Sequence, residues 1–120
     1  MHELSLVASI VDSVTESLVA YPGAQVKEVR LRVGALAAVE QESLLFCFGI
    51  ATEGTALEGS SLVIKHLPVV VYCAQCKQNS ELQSLQSFRC THCGTLTGEL
   101  VQGRELEIED IEIETEERQK

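Results

Sequence analysis

Cys73-Ala-Gln-Cys76, thirteen intervening residues, then Cys90-Thr-His-Cys93-Gly94: this stretch decides how the rest of the chain is divided. Two residues between cysteines let both sulfurs of a tight turn face one ion, and the intervening length suits a hairpin that brings two such turns together. The spacing predicts a single zinc ion held by Cys73, Cys76, Cys90 and Cys93. Gly94 suits the second turn, whose amides face sulfur and where a Cβ is expected to interfere. Four protein thiolates leave no position for water, so the site reads as structural and not catalytic. The competing reading is a pair of disulfides or a redox-active CxxC. A thioredoxin-like motif needs one pair in a βαβ context, whereas here two pairs lie in a polar hairpin. His92 lies inside the second turn, and Cys3His ligation with one spare cysteine is the alternative ligand set. Cys47 sits on an apolar helical stripe and reads as a small core residue.

Residues 69–98, with their polar filler, Gly94 and Gly98, form an inserted zinc-ribbon-like module too poor in apolar residues to fold without metal. The flanking segments, 1–68 and 99–120, are expected to make one domain. Leu4, Val7, Val11, Val14 and Leu18, with Ile10 beside them, recur at spacings of three and four and predict an amphipathic helix that Tyr21-Pro22-Gly23 stops. Val29, Leu31 and Val33 alternate with Glu28, Arg30 and Arg32 as a strand. A second helix is expected from about Gln41 to Thr52, burying Leu44, Leu45 and Phe48. Leu62, Ile64 and Leu67 mark a second strand ending at Pro68. Beyond the module, Leu106 and Ile108, then Ile111 and Ile113, alternate with acids, with a one-residue phase shift at Glu109-Asp110 of the kind a bulge produces. The fold class is α+β: two helices packed on a small three-stranded sheet, with the inserted hairpin.

Charge narrows the function. At 120 residues the chain carries 9 Lys and Arg against 18 Asp and Glu, a formal charge of −9. Four zinc-bound thiolates would take it to about −11. Phosphate backbones and anionic membranes repel such a chain, so no nucleic acid and no membrane are expected as partners. There is no charged leader before an apolar core and no stretch of membrane-spanning length. Paired cysteines without an export signal point to metal ligands in a reducing, cytoplasmic setting. Lys77 and Arg89 are too few for the main alternative, a zinc-ribbon interaction module of a nucleic-acid or transcription complex. No nucleophile-base pairing or phosphate loop supports an enzyme. The acidic run from Glu105 reads as the solvated face of an edge strand, with a docking surface as the sharper alternative, and His66 as a solvent-facing strand residue.

Met1-His2-Glu3 offers an α-amine, amide nitrogens and an imidazole, donors that close small chelate rings around a d⁸ ion favouring a square plane, such as Ni(II) or Cu(II). That start, continued by Leu4-Ser5, resembles the HypA/HybF hydrogenase maturation proteins, a family of nickel metallochaperones. So do Val33-Gly34 through Val39-Glu40 to Leu44, Phe46 and Phe48, the segment Gly54 to Pro68, and the paired CxxC motifs. The chain departs from the family at Ala35–Ala38, which is blander than the polar segment often found there. The resemblance implies a nickel-binding α/β domain (1–68 plus 99–120) and a zinc-binding domain (69–98). It implies Ni(II) as transient cargo on the His2 imidazole and the backbone nitrogens of His2 and Glu3, with the Met1 amine as a further donor. Glu40 falls where some relatives place an acid near nickel. The implied partners are the GTPase HypB and the [NiFe]-hydrogenase large subunit, and self-association as a homodimer stays open.

Overall fold

The computed structural model describes residues 3–82 and 87–115. Its elements are α1 (Glu3–Ser17), β1 (Gln25–Gly34), α2 (Gln41–Ala51), β2 (Ser61–Leu67), β3 (Val70–Cys73), β4 (Gln78–Glu81), β5 (Leu100–Gln102) and β6 (Leu106–Glu114), with short 3-10 turns at Leu18–Ala20 and Ala35–Ala37. The class is α+β, as expected, with two three-stranded sheets ordered β2-β1-β6 and β4-β3-β5. The chain separates into two compact units, one of Met1–Leu31, Val39–Ile64 and Ile108–Lys120, the other of Arg32–Ala38 and Lys65–Glu107.

In the first unit, Val7, Ile10, Val11 and Val14 of α1 are buried at the spacings that put them on one helical face. α1 and α2 lie in contact, and Leu44 and Phe48, one turn apart, are the buried residues of α2. Val26, Val29 and Leu31 of β1 and Leu57 complete the aliphatic interior. Two expectations need correction. Leu4, placed on the α1 stripe, is 57% exposed, and Leu45, expected to be buried in α2, is 39% exposed. A helix advances 100° per residue, so a buried Leu44–Phe48 row turns Leu45 towards solvent. The sequence does not reveal this, because Phe46 and Ile50 make the outer face apolar too.

β6 ends the first sheet, and its burial pattern leaves Glu109 and Asp110 both exposed between half-buried Ile108 and Ile111, in keeping with the phase shift in the sequence. Its acids meet the cations of β1: Arg32 with Glu107 at 3.5 Å, Arg30 with Asp110 at 2.5 Å and Lys27 with Glu114 at 3.5 Å. As one number rises the other falls, which is the cross-strand order of an antiparallel pair. Each such exposed pair contributes at most about 1 kcal/mol. Their order along the two strands agrees with the adjacency of β1 and β6 in the sheet.

The second unit has its own apolar cluster, Val69, Val71 and Leu82, with Leu36, Phe88 and Leu100 packed against it. Leu36 comes from the bland Ala35–Ala38 segment, so that segment supplies core here. It is held by Leu36 N donating to Gly103 O and Gly34 N to Glu105 O, both at 2.8 Å. The backbones approach so closely that a Cβ on Gly34 would lie 2.2 Å from Gly103 C and O and 2.7 Å from Arg104 N. Backbone cannot step aside as a flexible side chain can. Gly34→Ala should therefore destabilise the fold by about 1–3 kcal/mol or more, read as a fall in the denaturant midpoint of the zinc-loaded protein.

Candidate metal centre

The four cysteines are delivered by two turns built on one plan. β3 pairs antiparallel with β4 and places Cys73 opposite Gln78. Between them the chain turns so that Lys77 N donates to Cys73 O at 2.7 Å. In the second turn, Gly94 N donates to Cys90 O at 2.9 Å, and an Arg89–Leu96 bridge closes the hairpin, with Cys90 N donating to Thr95 O at 2.9 Å. The residue four positions after each leading cysteine has positive φ: +56° at Lys77 and +77° at Gly94. A Cβ at Gly94 would meet nothing within 4 Å, so glycine is favoured there by the left-handed backbone and not, as expected from sequence, by lack of space. The first turn places a lysine in the same conformation, at a steric cost glycine avoids. The lysine conceals the equivalence of the two turns in the sequence.

The sulfurs of Cys73, Cys76, Cys90 and Cys93 lie within 4.8 Å of one another. Cys73 Sγ is 3.7 Å from Cys93 Sγ, and Cys76 Sγ is 3.8 Å from Cys90 Sγ. Disulfide sulfurs would be about 2.05 Å apart, so the cysteines are thiols, not cystines. A regular tetrahedron of sulfurs around an ion at about 2.3 Å has an edge of about 3.8 Å, which these separations match. Cys73 and Cys90 are buried, Cys76 is half-buried and Cys93 is exposed. His92 is exposed and lies outside the sulfur cluster; its N–H donates to Cys90 Sγ at 3.3 Å. Ser80 Oγ accepts from Thr91 N at 3.4 Å, and Thr97 Oγ1 donates to Tyr72 O at 2.6 Å, so β4 and β3 each brace the second turn or its continuation.

The thiols are electrostatically unequal. Hydrogen bonding with Thr95, whose hydroxyl oxygen lies 3.1 Å from the sulfur, brings Cys93 down to about 6. Cys90 is also lowered, first by the amide of Cys93. Cys76 is pushed up to about 12, first because it donates to Cys93 and then by burial. Cys93 is thus prepared as a thiolate, while Cys76 keeps its proton until a cation replaces it. Such a site takes a thiolate-seeking divalent ion and offers no coordination position for chemistry.

Met1 and His2 lie outside the described residues. Glu3 opens α1, and its Oε2 accepts from Glu40 N at 3.2 Å. Glu40 is the N-cap of α2: its Oε1 accepts from Ser43 N at 3.1 Å. The structure therefore brings Glu40, suggested by family resemblance alone, within a hydrogen bond of Glu3. Its capping role is the one sequence reasoning missed. A carboxylate three residues before Ser43, at the start of an apolar run, was the available signal.

Comparison with known proteins agrees with this architecture. A protein-family model described as HypA, hydrogenase/urease nickel incorporation, metallochaperone, matches residues 1–113. Hydrogenase maturation factor HypA from Chloroflexus aggregans is 40% identical over 112 residues, covering 93% of this chain and 98% of the relative. The HypA of Nostoc punctiforme is 40% identical over 114 residues, covering 95% and 96%. Among solved structures, that of the Ni metallochaperone HypA from Helicobacter pylori superposes with a TM-score of 0.66 at 21% identity, covering 97% of this chain and all of that one. A second HypA solution structure gives a TM-score of 0.73 at 21% identity, covering 97% and 98%. At that identity the likeness speaks to the fold. The match along residues 1–113, with relatives 40% identical over nearly their full length, establishes that this chain belongs to the HypA family of nickel-incorporation proteins.

Proposed function

We propose that this chain is a non-catalytic, cytoplasmic nickel carrier. In this reading it binds Ni(II) through the His2 imidazole and the backbone nitrogens of His2 and Glu3, with the Met1 amine as a further donor. It passes the ion to the [NiFe]-hydrogenase large subunit in cooperation with the GTPase HypB. Residues 1–68 and 99–120 serve as the nickel-binding domain, and residues 69–98 hold a structural zinc at Cys73, Cys76, Cys90 and Cys93. The observation that carries the reading is that the nickel-incorporation family match begins at residue 1, so Met1-His2-Glu3 falls inside it. The Glu3–Glu40 hydrogen bond supports it, because it holds the third residue of the motif to the start of α2.

The chemistry suits transfer. Nitrogen donors in small chelate rings favour a planar d⁸ ion, and a site at the start of the chain can exchange ligands with an acceptor more readily than a cage of fixed side chains. The α-amine and imidazole have ordinary pKa values of about 7.7–8.0 and 6.5, so nickel affinity rises through neutral pH as protons leave. His2→Ala should abolish stoichiometric nickel binding and leave zinc content and circular dichroism unchanged. A single residue added before Met1 should do the same if the amine is a donor. Titration of the protein with its native N-terminus, followed by ligand-field absorption, checks both.

Zinc loading has a proton signature set by the unequal thiols. Cys93, held at about 6, is a thiolate at neutral pH and regains its proton in acid. Zinc uptake should therefore release fewer than four protons at pH 7 and about one more at pH 5, with weaker apparent affinity at the lower pH. Calorimetry in buffers of different ionisation enthalpy reads the count. An unchanged count across that range would contradict the assignment of Cys93 as the pre-ionised sulfur.

A further inference from the structure

α2 has a second face that the fold does not use. With Leu44 and Phe48 buried, the opposite side of the helix carries Glu42, Leu45, Phe46, Gly49 and Ile50, and the row continues past the helix end to Glu53. Leu45, Phe46 and Ile50 are 39%, 70% and 52% exposed, and Phe46 and Ile50 are stacked one turn apart. Single exposed apolar residues need no explanation, but an aromatic and two branched aliphatics gathered on one side of a three-turn helix form a patch.

Gly49 stands in the middle of that patch. Glycine is unfavourable in a helix interior, and a Cβ there would meet nothing within 4 Å, so nothing inside the described fold requires it. Its effect is external: it leaves a notch between Leu45, Phe46 and Ile50 into which another surface can press a side chain.

The charges at the two ends of the patch indicate what that surface carries. Glu42 and Glu53 are exposed, and neither pairs with a cation among the described residues. α2 itself contains no Lys or Arg. The two acids stand about 16 Å apart along the axis. Two copies of α2 packed face to face would set carboxylate against carboxylate at both ends, whether the helices ran parallel or antiparallel. A second copy is therefore disfavoured, and a basic partner is favoured.

We propose that the outer face of α2 is a docking surface for an amphipathic helix of another protein, one whose apolar ridge places a side chain in the Gly49 notch and whose Lys or Arg residues flank that ridge at the spacing of Glu42 and Glu53. The inference does not depend on nickel binding, and His2→Ala should leave it untouched.

The test uses the full-length, zinc-loaded protein and a synthetic helical peptide of about five turns, with a leucine ridge flanked by lysines, alongside a twin with glutamates in place of the lysines. Binding is followed by calorimetry and by amide chemical shifts. The lysine peptide should bind with shifts centred on α2, and the glutamate twin should bind at least about tenfold more weakly. Phe46→Ser should weaken binding at least about tenfold. Gly49→Gln should do the same while leaving thermal stability equal to or above that of the parent, which separates loss of the notch from loss of the fold. Equal binding of the two peptides would overturn the proposal. So would binding within twofold of the parent by both variants, shifts centred away from α2, or a parent dimer that Phe46→Ser dissociates, since the last would make a second copy the occupant.

Discussion

Four sulfurs within 4.8 Å of one another pose an electrostatic problem on which the second unit depends. As thiolates they repel, and as thiols they are poor ligands for one another. Only a shared cation lets all four ionise at this distance. The apolar cluster beside them, Val69, Val71 and Leu82 with three partly buried neighbours, is too small to hold a unit of this size together by burial alone. Metal binding therefore adds directly to the stability of this unit. The hydrogen bonds of Thr95 and of the second turn's amides prepare part of the charge before metal arrives.

The first unit solves a different problem with ordinary means. Its core is almost wholly aliphatic: one stripe of α1, two residues of α2 and alternating positions of β1. With few aromatics and short helices, there is little surplus burial, so the details of the edges matter. In the terminal strand β6, Asp110 and Glu114 meet Arg30 and Lys27 of β1, and the acids of this edge discourage another chain from adding to the sheet. At the helix starts, Glu40 caps α2 with its side chain and receives Glu3 with its amide, so two orphan N–H groups find partners. The N-terminal turn of α1, which leads directly from Met1-His2, is thereby fixed to a defined point in the fold.

Much of this was legible in the residues. The paired CxxC motifs give the four sulfurs that come together, because two residues of spacing suit a tight turn. The alternation of Val29, Leu31 and Val33, and the phase shift at Glu109-Asp110, give strands because side chains there alternate strictly between faces. Other features were hidden. Lys77 disguises a turn equivalent to that of Gly94, because positive φ is a property of the backbone that non-glycine residues can adopt at a cost. Leu36 sits in a run of small residues with no periodicity, and its place in the second unit's core follows from chain segments far apart in sequence. Glu40 carried only a family likeness until its two hydrogen bonds were seen.

The sequence by itself determined the α+β class, the pairing of Cys73, Cys76, Cys90 and Cys93 and the strongly acidic charge. These depend on local spacing and on charge, which a linear chain states directly. Only the tertiary structure decided which face of α2 is core. Leu44, Leu45, Phe46, Phe48 and Ile50 surround the helix with apolar side chains, and hydrophobicity has no direction of its own. Contact with α1 chose Leu44 and Phe48, and that choice left Phe46 and Ile50 in water.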